Sequence, residues 1–68
     1  MGAYAWYYID SYNDTCYWCY SHEMSATDFA ICVSSEIGKN ISVSDTSYAD
    51  GSKDLERHKG YASRSVHV

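Results

Sequence analysis

The sequence predicts an α+β fold: a small antiparallel sheet of β-β-α-β-β order with one helix packed on one face, and room for a short second helix before the last strand. Three observations predict it. Aromatic-rich stretches stand on either side of Asn13-Asp14. Apolar residues recur at helical spacing from Ala26 to Ile37 between cap residues. Short alternating stretches follow the helix. At 68 residues the chain is one domain, residues 1–68.

The first strand is expected within Ala3 to Tyr12, where tyrosines, Trp6 and Ile9 suit extended backbone. Asn13-Asp14 signals a turn, and Thr15 to His22 resumes with Thr, Tyr and Trp, so the pair reads as a β-hairpin. Ser25 is placed as N-cap, with Asp28 three residues on at the positive end of the helix. Ala26, Phe29, Ala30, Val33 and Ile37 then share one face, and Gly38 stands where a helix ends in the left-handed conformation. Asn40 to Ser44 alternates Ile41 and Val43 with polar residues and predicts a half-buried strand. Asp45 to Ser52 reads as a loop, Ser52 to Lys59 as a short helix or a loop, and Tyr61 to Val68 as the last strand.

Large aliphatic residues are few, so aromatic rings must complete the core, and a domain of this size is marginal without further support. Tyr4 to His22 holds six of the eight tyrosines, both tryptophans and two of the three cysteines. Alternation divides it between two faces. Small residues leave room for a helix, so Ala3, Ala5, Tyr7 and Ile9, with Tyr17 and Cys19, are expected to face it. Tyr4, Trp6, Tyr8, Trp18 and Tyr20 then form an aromatic patch on the other face, flanked by Asp10 and Asp14. Such a patch on a small protein marks an interaction surface.

Charge narrows the partners. The net charge is −4 with only five Lys and Arg, too few to track a phosphate backbone, so direct nucleic-acid binding is not expected. An acidic surface suits a basic protein partner, including one that itself binds nucleic acid. A homodimer is a second expected partner. No apolar run is long enough to span a membrane, and no secretory signal opens the chain, so the expected setting is the cytoplasm.

Two other chemistries have candidate residues. Cys16, Cys19, His22 and Cys32 could ligate a structural zinc, with His58 or His67 as a further ligand. Against this, a regular strand aims Cys16 and Cys19 at opposite faces, and the expected cofactor is none. Tyr4, Trp6 and Trp18 could stack single-stranded bases, but acids flank them where base-stacking modules carry Lys and Arg. Cys32, His22 and Asp28 supply nucleophile, base and acid types without specific spacing, and no enzyme is expected.

In size, acidity, tyrosine content and β-β-α-β order, the chain resembles the very small proteins that bacteriophages encode to block host proteins, such as anti-CRISPR and anti-restriction proteins. The resemblance covers general character and no particular residues. It implies a non-enzymatic viral inhibitor acting in the host cytoplasm on a nucleic-acid-handling protein.

Overall fold

The computed structural model describes residues 4–50 and 60–67. Strand β1 spans Tyr4–Asp10, β2 Thr15–Tyr20, helix α1 Ala26–Ile37, β3 Ser47–Asp50 and β4 Ala62–Ser65. The fold is α+β, a four-stranded sheet with one helix on one face, and the spatial strand order is β3-β1-β2-β4. The sheet is mixed rather than wholly antiparallel: β1 pairs antiparallel with β2 and β3, but β4 runs parallel to β2.

The hairpin forms where the turn signal stands. Ser11 to Asp14 make the turn, and Asp14 takes the left-handed conformation at φ 51°, which Asp tolerates better than most residues. The buried Asp10 carboxylate accepts from the Asn13 backbone N–H at 3.3 Å and from Asn13 Nδ2 at 2.8 Å, which ties the turn shut. At its base the Ser21 N–H donates to the Tyr4 carbonyl at 2.9 Å.

Helix α1 begins and ends at the residues its caps predict. Ser25 Oγ accepts from the Asp28 N–H at 3.1 Å. Gly38 ends the helix at φ 68° and donates its N–H to the Ser34 carbonyl at 2.9 Å. That left-handed position suits glycine. Phe29, Ala30 and Val33 are buried on the expected face. Ser34 ties the helix to the chain that follows it. Its Oγ accepts from the Ile41 N–H at 2.8 Å and lies 2.7 Å from the Ala30 carbonyl, to which it can donate. Ser34→Ala leaves the Ile41 N–H without this acceptor and should lower stability by about 1–2 kcal/mol in urea unfolding.

The expected strand over Asn40 to Ser44 does not form. Ile41 is buried as predicted, but Val43–Asp45 make a 3₁₀ turn and Val43 is exposed. The Asp45 carboxylate accepts from the Ser42 N–H at 2.9 Å and the Ser42 hydroxyl at 3.0 Å. This local alternative to strand pairing wins for a Ser-rich segment. The backbone bond first, and then the hydroxyl, hold the Asp45 carboxyl below its ordinary range. The stabilisation is therefore present above the ordinary carboxylate value of about 4 and is lost as pH falls through the lower value of Asp45. The third strand instead occupies Ser47–Asp50, within the stretch expected to be a loop. The option of a short helix over Ser52 to Lys59 lies outside the described residues.

The core lies between α1 and one face of the sheet. Tyr17, Cys19, Met24, Phe29, Val33, Ile41 and Val66 form it, with Trp6, Tyr8, Cys32 and Ile37 packed against its margin. Val66 is reached by continuing β4, its N–H donating to the Trp18 carbonyl at 2.9 Å. This settles the faces. Tyr17 and Cys19 point to the helix as expected. In β1, however, Trp6 and Tyr8 point to it, and Ala5, Tyr7 and Ile9 point away. Ala3, expected on the helix face with them, lies outside the described residues. The pairings Trp6↔Cys19 and Tyr8↔Tyr17 put these residues on one face together.

Candidate functional site

The expected aromatic patch is divided between the two sheet faces. Tyr4, Trp6 and Tyr8 lie on the helix side, whereas Trp18 and Tyr20 lie on the other. The helix-side group acquires a neighbour that sequence reasoning did not supply. On the helix side, Tyr48 of β3 pairs across from Trp6 and completes an aromatic row at the sheet edge. The Tyr4 and Tyr48 rings stack with centroids 5.5 Å apart and planes 5° from parallel. Trp6 meets Tyr48 at 4.8 Å and 45°. On the opposite face Trp18 and Tyr20 meet edge to face at 4.9 Å, and His22 stacks on Tyr20 at 5.7 Å.

The two rows differ in what they leave exposed. Trp6 is anchored: its indole N–H donates to the Met24 carbonyl at 2.9 Å, and its ring packs on the core. Tyr4 and Tyr48 lie farther out, where α1 does not cover β3, and are 45% and 49% exposed. Trp18 and Tyr20 are half-buried, and Ala5 and Ala49 on their face are fully buried. Tyr4 and Tyr48 are therefore the tyrosines of these rows that present most ring surface to a partner. Tyr48 was missed because its strand was read as a loop; a tyrosine between two short polar runs was the sole signal.

The expected acidic flanks separate in the same way. Asp10 is spent on the hairpin turn and is buried. Asp14 is exposed at the turn, at the far end of β1 from Tyr4 and Tyr48. Asp45 precedes β3 and Asp50 is its last residue, both exposed. Between Asn40 and Asp50 there is no Lys or Arg.

The metal-ligand alternative does not assemble. Cys16 pairs with Ile9 and lies on the face away from the helix, while Cys19 lies in the core with Cys32 at its margin. An interval of three residues in an extended strand puts two side chains on opposite faces, so Cys16 and Cys19 cannot share one tetrahedral centre. Among the described residues no group of three or more His, Cys, Asp or Glu side chains could hold a metal ion. His22 is engaged with the Tyr20 ring, and His67 Nδ1 lies 3.4 Å from the Glu23 carboxylate. The nucleophile candidates fare no better: Cys32 Sγ faces the His67 carbonyl at 3.9 Å. It borders a cleft of about 360 Å³ with Ser35, Glu36, Val66 and His67, to which neither His22 nor Asp28 contributes.

Burial governs the thiols. It raises the Cys16 thiol, and it raises Cys19, where the negative charge of Glu23 and then Cys32 add to the effect. Thiolates are the reactive form. Cys32, half-buried on the helix, should therefore be alkylated by iodoacetamide at pH 8 roughly ten times or more faster than Cys16 and Cys19. Peptide mass mapping checks this, and in urea the three rates should converge.

Among the described residues no helix is long and apolar enough to cross a membrane. No protein-family model, curated protein or solved structure matches the chain.

Proposed function

We propose that this chain is a non-enzymatic protein-binding module that docks on a basic surface of another protein through the aromatic edge formed by Tyr4 and Tyr48. The observation that carries the reading is this stacked pair, half exposed beside an anchored tryptophan. Tyrosines held in place by neighbours present a large amphipathic surface at low entropic cost, and such residues dominate binding energy at interfaces. The net charge of −4 selects a basic partner and speeds encounter with it. A nucleic-acid-handling protein in the same cytoplasm, blocked by occupation of its basic groove, fits that charge. It is also the partner implied by the resemblance to small phage inhibitors.

The test is affinity capture from a lysate of the native host, with wild type, Tyr48→Ala and Trp18→Ala as baits, each checked for native fold by circular dichroism. A stoichiometric partner that is retained by wild type and Trp18→Ala but lost by Tyr48→Ala is the expected result. Loss by Trp18→Ala alone would move the site to the opposite face. Retention by all three would refute the aromatic reading.

A further inference from the structure

We infer that β4, with Val66 and His67 after it, is a releasable strap. It lifts from β2 while α1 and the β3-β1-β2 part of the sheet stay folded, and it gates access to the Cys19 thiol. The inference stands apart from the protein-binding reading and needs no partner for its test.

The strap is held more by backbone than by side chains. From Gly60 to His67, Val66 is the one buried residue, and all four residues of β4 are exposed. Each of the other strands holds a residue with almost no exposed surface: Ala5 in β1, Cys19 in β2 and Ala49 in β3. Returning buried apolar groups to water is what opposes local opening, so an element with few of them opens at least cost. The backbone of β4 runs parallel to β2, a pairing slightly weaker per residue than the antiparallel kind. The Ala62 N–H donates to the Asp14 carbonyl at 2.8 Å at one end, and the Val66 N–H to the Trp18 carbonyl at 2.9 Å at the other. Two polar contacts add to this on the helix side. Arg64 reaches Glu36 of α1 at 3.2 Å, and His67 Nδ1 lies 3.4 Å from the Glu23 carboxylate, an ion pair only while the imidazole is protonated. The Arg64 and His67 side chains are 59% and 67% exposed, so water and salt screen both contacts.

What the strap covers follows from strand alternation. Arg64 and Val66 turn to the helix side, as do Tyr17 and Cys19 of β2. Val66 therefore belongs to the same core as Cys19 and Phe29, and with Cys32 and His67 it borders the cleft of about 360 Å³ beside α1. Lifting Val66 joins that cleft to the core and opens a path to Cys19, which is 1% exposed while the strap is down. Tyr17, Met24, Phe29, Val33 and Ile41 remain together on β2, α1 and their connections, so this opening is smaller than unfolding.

The experiment is native-state hydrogen exchange of the intact chain by ¹⁵N NMR, at urea concentrations below the unfolding transition. Iodoacetamide labelling of Cys19, read by peptide mass mapping, accompanies it under the same conditions. Expected are protection factors for the Ala62 and Val66 amides about tenfold or more below that of Val33 in α1 and little changed by urea, with Cys19 labelling equally insensitive to urea. Val66→Ala should speed Cys19 labelling by about tenfold or more while the Val33 protection factor changes by less than about threefold. Ala62 and Val66 amides that match Val33 in both protection and urea dependence would overturn the strap, because they would then open only with the whole chain. Cys19 labelling that rises with urea in step with Val33 exchange would overturn the gate. So would a folded Val66→Ala variant whose Cys19 labelling is unchanged, or changes by the same factor as Val33 exchange. The wild-type measurements decide the question by themselves where Val66→Ala does not fold.

Discussion

Phe29→Ala will lower stability by about 3–5 kcal/mol and leave much of the chain unfolded. Phe29 has no exposed surface, and it belongs to the core that also holds Tyr17 and Cys19 of β2, Val33 of its own helix, and Ile41 and Val66 from the chain that follows. Truncation to alanine removes the ring's transfer free energy and leaves a cavity that rigid neighbours cannot fill. A chain of this length has a total stability of roughly 3–10 kcal/mol, so the loss is of the same size as the whole. Urea unfolding followed by tryptophan fluorescence, with Phe29→Leu as a milder companion, measures it. A wild-type-like midpoint for Phe29→Ala would mean that α1 does not pack on the sheet through this residue.

Trp6→Ala should also destabilise, by about 2–4 kcal/mol, although a sheet-face patch reading would make it a pure binding mutation. The indole covers the margin of the core, and its N–H closes a hydrogen bond to the Met24 carbonyl in the connection between β2 and α1. Trp6→Phe separates the two contributions. It keeps much of the ring and loses the hydrogen bond, so about 1–2 kcal/mol is expected. Tyr48→Ala, with its ring half exposed, should cost well below either in thermal or urea unfolding, and it is the substitution expected to remove the proposed binding. If Trp6→Ala unfolds like wild type, the register of β1 against β2 is other than Trp6↔Cys19.

These two residues differ in how far they could be read in advance. Phe29 sits in a segment whose polar and apolar positions separate cleanly at helical spacing, with Ser25 and Gly38 marking its ends. Trp6 sits in Tyr-Ala-Trp-Tyr-Tyr-Ile-Asp, which is apolar on both faces. A strand without polar alternation does not declare its inner side, and a one-residue shift exchanges all side chains. Choosing by volume favoured Ala5 and Ile9 under the helix. The structure places Trp6 and Tyr8 there, packed against the margin of the core, and the indole N–H finds an acceptor at Met24. The surface reading changed with it: Trp18 and Tyr20 stay on the face away from the helix, and Tyr48 joins Tyr4 at the edge.

The sequence alone determined the α+β class, the hairpin at Asn13-Asp14, the helix with both caps, the burial of Phe29, Val33 and Ile41, and the net charge of −4. All of these follow from local backbone preferences, helical periodicity or composition. Only the tertiary structure decided the sheet order β3-β1-β2-β4, the parallel pairing of β4, the strand at Ser47–Asp50 and the inward face of β1. Each of these depends on contacts between residues far apart in the chain. Their side chains carry no preference strong enough to select a partner before the sheet assembles.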